Sequence, residues 1–260
     1  MRCAASLGAS GAVHGCLTLI VLCDIPPQHR PAKAPPCILI GDFIMRLLIV
    51  NPNTSAGVTR NIDAAAQAVA GPGDSFKTVS AAFGPDLIVT EQDGMDAVAG
   101  VMASIEAHLD GADGIILASF GDTGTEAVRE AYPHTPVVGI ASAAFAAARC
   151  LGGRFSIVTF DDTLVSALRD RAGFHGMSGA LHRAEGVSDS STFDAAYVQK
   201  ERYDAINALC IDCAKDPITS IVLGGGPLAG LAAQISVPNG IAVIDGTQSA
   251  VGILRGSISE

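Results

Sequence analysis

Three strand-like runs occur twice in this chain, in the same order and at nearly the same spacing. Residues 47–50 lead into Asn51-Pro52-Asn53-Thr54-Ser55, and residues 155–159 lead into Phe160-Asp161-Asp162-Thr163. Further along, residues 114–118 run into Ser119-Phe120-Gly121-Asp122-Thr123-Gly124, and residues 220–223 into Gly224-Gly225-Gly226-Pro227. Residues 136–140 and 241–245 close the two series. Short β-prone runs that alternate with amphipathic stretches argue for an α/β fold, with parallel strands covered by helices on both faces. A duplicated unit of this kind gives two pseudo-symmetric lobes, and a small ligand would lie in the cleft between their equivalent loops. Ligands of such sheets sit beyond the carboxyl ends of the strands. Every polar, Gly-rich cluster named above follows a strand.

The pattern divides the body into a first lobe of residues 45–141 plus 241–260 and a second of residues 142–240. It predicts a loop over 82–94, then helices over 95–109, 195–214 and 228–234, among others. The first 44 residues read differently. They hold five prolines (Pro26, Pro27, Pro31, Pro35, Pro36) and a short apolar stretch from Cys16 to Cys23. Met45-Arg46 stands directly before the first strand. The segment is therefore expected to be a disordered or non-native extension, outside the fold; a secretory signal is the other reading of its apolar stretch.

The formal net charge of −10 argues against a nucleic-acid footprint. No run reaches the roughly 20 apolar residues of a membrane span. Four of the seven cysteines precede residue 45, which leaves Cys150, Cys210 and Cys213 in the body. An odd number without framework spacing fits a reduced, cytoplasmic setting. Cys210 and Cys213 form C-x-x-C inside a predicted helix with no second ligand pair, which points to packing. The histidines are scattered and lack metal-ligand spacing, so no metal site is expected.

Chemistry concentrates in the strand-end loops. Asn51, Asn53, Thr54 and the following helix N-terminus can hold a carboxylate; an ordinary strand-to-helix cap is the alternative. Gly121 and Gly124 let backbone approach a ligand, and free N–H groups there could stabilise an oxyanion or enolate. Ser119 and Thr123 add hydroxyls. Asp122 is either a helix cap or a general base. Gly225 and Gly226 supply N–H donors and space without side chains. The loop lacks the Lys-Ser/Thr of a phosphate loop and the spacing of a dinucleotide fingerprint.

Taken together, these motifs resemble the aspartate/glutamate/hydantoin racemase family, in its hydantoin and allantoin racemase branch. The resemblance rests on Asn51-Pro52-Asn53-Thr54-Ser55, Ser119-Phe120-Gly121-Asp122-Thr123-Gly124, Pro136-Val137-Val138-Gly139-Ile140, Leu223-Gly224-Gly225-Gly226-Pro227-Leu228-Ala229-Gly230 and Val243-Ile244-Asp245-Gly246, and it spans 45–255. It implies a cofactor-independent isomerase with its site between two lobes, acting at the α-carbon of a small amino acid, hydantoin or related carboxylate or cyclic amide. It leaves room for a homo-oligomer, with neither nucleic acid nor membrane as partner. The family's racemases use one cysteine per lobe, and the corresponding positions here are Ser119 and Gly225. The expected catalytic residues are accordingly Ser119 and Asp122, with Thr159 or Asp245 assisting. Substrate would be held by Asn51, Asn53, Thr54, Phe120, Thr123, Thr159, Gly225 and Gly226. Without two thiols, two other readings stay open: a decarboxylase or lyase working through an enolate-like species in the same cleft, and a non-catalytic carboxylate binder.

Overall fold

The computed structural model describes residues 44–189 and 191–258. The extension expected over residues 1–44 lies, but for Ile44, outside the described residues. Among the described residues, eight strands form two four-stranded sheets, and every recorded pairing is parallel. The first sheet runs β2 (Ser75–Ser80), β1 (Arg46–Asn51), β3 (Gly114–Leu117), β4 (Val137–Gly139). The second runs β6 (Leu181–Gly186), β5 (Phe155–Thr159), β7 (Ser220–Gly224), β8 (Ala242–Ile244). The strand order is the same in both, so the sequence repeat is a repeat of topology. Strands β3, β5 and β7 are buried along their whole length, which is why apolar residues dominate them in place of a polar alternation.

In chain order the helices are α1 (Ala56–Gln67), α2 (Glu91–His108), α3 (Thr125–Ala131), α4 (Ile140–Leu151), α5 (Val165–Phe174), α6 (Val198–Glu201), α7 (Tyr203–Cys213) and α8 (Gly246–Ile258). Helix α2 starts at Glu91, earlier than the apolar periodicity implied. The cause is a capping box: Thr90 Oγ1 accepts from the Asp93 N–H, and the Asp93 carboxylate accepts from the Thr90 N–H. The long helix expected over 195–214 breaks at Arg202, whose φ of −114° and ψ of 13° leave the helical region. The guanidinium of Arg202 is buried there and donates to the carbonyl oxygens of Phe160, Asp189 and Ser191. The helix expected over 228–234 is instead two 3-10 turns, Gly226–Leu228 and Leu231–Gln234, parted by Gly230 at a φ of 87°.

The lobe boundary also differs from the expected one. Strand β8 pairs with β7, so residues 242–244 belong to the second sheet. Only α8 returns to the first sheet, where it packs on β3 and β4. Helix α4 does the reverse: it follows β4, yet packs on β7 as well as on β4. The two helices also pack along each other. One apolar cluster therefore runs through both sheets, joining Leu47, Ile49 and Ile116 to Phe155, Ile157 and Val222 by way of Phe145 and Val251. Each sheet has a further cluster on its other face, Leu48, Ile115 and Ile105 in the first and Val158, Ile221 and Ile206 in the second. Among the described residues no helix is long and apolar enough to cross a membrane.

Candidate active site

The strand ends of both sheets open onto one cleft of about 880 Å³. The loops after β3 and β7 meet there. A Cβ at Gly226 would stand 2.7 Å from the carbonyl oxygen of Ala118, so only glycine permits this approach.

Asn51, at the end of β1, is almost wholly buried. Its Nδ2 donates to Asn53 Oδ1 (2.7 Å) and Thr59 Oγ1 (3.0 Å), and its Oδ1 accepts from the Asn53 N–H. Asn53 Oδ1 also accepts from the Ser55 N–H at 2.9 Å. The two amides thus fix the turn and stand on the cleft wall. Helix α1 is capped by Ser55, which frees both amides from that task. Thr54 is not on the wall; its hydroxyl and N–H both donate to the Pro85 carbonyl.

In the loop after β3, Ser119 Oγ and Thr123 Oγ1 lie 3.0 Å apart, and the Gly121 N–H donates to Ser119 Oγ. Phe120 lines the cleft and meets Phe145 edge-on, centroids 5.6 Å apart. Asp122 has a φ of 53°, a left-handed conformation uncommon for a residue with a side chain. It does not cap α3: that helix begins after Gly124 and has no side-chain cap. Its Oδ2 instead lies 2.6 Å from His175 Nε2, at the carboxyl end of α5 in the other lobe. Both side chains are largely buried, Asp122 7% and His175 19% exposed. His175 lines the cleft too. No sequence spacing pointed to it, since its partner is 53 residues away.

Gly225 has a φ of 137°, and a Cβ there would lie 2.8 Å from the Phe160 ring. Backbone and neighbour both reserve the position for glycine. The N–H groups of Thr123, Gly225 and Gly226 have no acceptor among the described residues. With the Ser119 and Thr123 hydroxyls, they could hold a carboxylate, a ring carbonyl or the enolate formed from one. Exposed apolar side chains, Val89, Met95 and Phe174, line the cleft beside charged ones such as Glu91 and Asp170.

Thr159 and Asp245 do not line the cleft. Thr159 is fully buried and donates to the Gly224 carbonyl at 2.6 Å, tying β5 to the glycine loop. Asp245 caps α8 through the Gln248 N–H (3.0 Å) and also accepts from the Gly230 N–H (2.6 Å). Burial pushes its carboxyl above the ordinary range, against the pull of those N–H donors. Cys150 is exposed on α4, whereas Cys210 and Cys213 are buried in α7, and none of the three reaches the cleft. Burial pushes the Cys210 thiol up to about 12, the opposite of what a proton-abstracting thiolate needs. No group of three or more metal-ligating side chains occurs among the described residues.

Residues 47–254 match the model of the Asp/Glu/hydantoin racemase family. A hydantoin racemase of Pseudomonas sp. strain NS671 is 30% identical over 212 residues, covering 80% of this chain and 83% of the relative. Among solved structures, the allantoin racemase of Klebsiella pneumoniae superposes with a TM-score of 0.76 at 34% identity, covering 83% of this chain and 88% of the other. The allantoin racemase of Pseudomonas fluorescens gives 0.73 at 30% identity, with 82% and 91% covered.

Proposed function

The chain belongs to the Asp/Glu/hydantoin racemase family, and we propose that it is a cofactor-independent racemase that exchanges the α-proton of a hydantoin-type cyclic amide. The reading is carried by the meeting of two strand-end loops, one from each lobe, over a single cleft with unpaired N–H donors. A planar enolate needs such donors at its oxygen, because charge gathers there as the C–H bond breaks. The relatives named above are racemases of hydantoin and of allantoin, and both substrates carry an acidic C–H beside a ring carbonyl.

In this reading Ser119 and Asp122 belong to the catalytic group. Asn51, Asn53, Phe120, Thr123, Gly225 and Gly226 shape and hold the substrate. Thr54 and Thr159 hold the loops from behind. A second reading is motivated by Gly225, which places no acid or base on its side of the cleft. A decarboxylation or C–N cleavage through the same enolate requires a single proton donor.

Incubation with 5-substituted hydantoins, allantoin and free amino acids in deuterated water separates these readings. Deuterium entering the α-position with loss of optical rotation is the expected result. Release of CO₂ or ammonia would favour the second reading. Tight binding without exchange or product would leave a carboxylate or amide binder and refute both.

A further inference from the structure

We propose that His175 is the base that takes and returns the α-proton, with Asp122 as its positioning residue. This rests on the racemase reading above.

Four observations carry it. First, the 2.6 Å contact joins two residues from different lobes at the cleft wall. Second, Asp122 has no competing task. Its side chain caps no helix, and its Oδ1 is buried without any partner. Third, room for the carboxylate is made by a glycine, since a Cβ on Gly139 would stand 2.1 Å from Asp122 Oδ1. A left-handed backbone at Asp122 and a glycine behind it are both needed to aim one carboxylate at one imidazole. Fourth, the ring lies between Phe145 and Phe174, with centroids 5.4 and 5.2 Å away. That packing limits its rotation.

The tautomer follows from the contact. A carboxylate accepts, so Nε2 carries the hydrogen and Nδ1 carries the lone pair. The contact to Asp122 is the ring's one hydrogen bond among the described residues, and Nδ1 is not a fully buried atom, so the ring keeps one nitrogen open. The Nδ1 lone pair forms an N–H bond as the substrate Cα–H bond breaks. The C–H electron pair passes to the ring carbonyl oxygen as an enolate. The resulting imidazolium faces the Asp122 carboxylate. Return of that proton restores the original configuration, and a water molecule protonating the enolate on its other face gives the inverted product. The imidazolium then loses its proton to the hydroxide left behind. Gly225 has no side chain for that second delivery, and its backbone and Phe160 oppose adding one.

The test is α-proton exchange in deuterated water by His175→Ala, His175→Gln and Asp122→Asn, each checked by thermal melting. Both His175 variants are expected to lose exchange by about 100-fold or more. Added imidazole should restore it in His175→Ala, where a cavity admits the ring, and not in His175→Gln. Asp122→Asn should lower kcat with KM little changed. Exchange at the wild-type rate in either His175 variant would overturn the proposal, as would absence of imidazole rescue in a His175→Ala protein that melts like wild type. Should His175→Ala not fold, His175→Gln, whose amide can still donate to Asp122, decides alone: loss of exchange supports the base role and retention refutes it. If the wild-type protein exchanges no hydantoin or allantoin proton, the racemase reading itself fails and this one with it.

Discussion

Gly139→Ala perturbs the site from a position that carries no chemistry of its own, by pressing on Asp122. The added methyl would fall 2.1 Å from Asp122 Oδ1 and 2.9 Å from its carboxyl carbon. That is roughly 1 Å or more inside normal contact. The backbone at Gly139 is held by pairing with Leu117 of β3, so the carboxylate is the part that yields. It then leaves His175 Nε2, at present 2.6 Å away. A hydrogen bond to a charged group contributes about 1.5–3 kcal/mol. If all of that is lost in the transition state, the rate falls roughly 10- to 150-fold. Overpacking adds a stability cost of about 1–3 kcal/mol. The assay is α-proton exchange alongside urea denaturation, run as a double-mutant cycle with Asp122→Gly. Glycine at 122 removes the clashing carboxylate and also accepts the φ of 53°. In that background Gly139→Ala should cost almost nothing further, so the two changes are strongly non-additive. Equal losses from Gly139→Ala in both backgrounds would refute the reasoning.

Thr159→Val leaves the Gly224 carbonyl without its buried partner. It should cost about 1–3 kcal/mol in urea denaturation while KM stays unchanged, since Thr159 does not line the cleft. Arg202→Met removes donors to three carbonyls from a site 4% exposed. It should lower stability by about 3 kcal/mol or more and speed proteolysis near Asp189. Asp245 binds its proton more tightly folded than unfolded, because burial raises its folded value. Its contribution is thus fully present below the unfolded value and is lost as pH rises through the folded one. Melting temperatures measured upward from pH 4 should fall less steeply in Asp245→Asn than in wild type. Gly252→Ala, on α8 with nothing within 4 Å of the new methyl, serves as a control and should stabilise by about 0.5–1 kcal/mol.

The sheets were legible because their central strands are buried on both faces, and apolar runs at 47–50, 115–117 and 221–223, with the β-prone stretch 155–159, announce that directly. Helix limits were less so. The start of α2 was encoded in Thr90 and Asp93, polar residues outside the apolar period, and the break at Arg202 depends on carbonyls from distant loops. Among cleft-lining residues, Asn51, Asn53, Ser119, Thr123 and the glycine loop could be found because each stands at or after the end of a strand. His175 could not, for its partner Asp122 is 53 residues away in the chain and only the fold brings them together. Asp245 illustrates the reverse case. As a polar residue after a strand it resembled the others, yet its carboxylate is used up by two backbone N–H groups.

The exchange of α4 and α8 has a consequence for how this molecule is assembled. Each sheet is roofed in part by the helix that trails the other sheet's last strand, and the apolar cluster beneath them belongs to both. Either half alone would expose part of this cluster. Cutting the chain at the Gly152-Gly153 turn would leave each fragment with part of that shared apolar surface bare. The repeated topology is thus not two beads on a string but two sheets closed over one common interior.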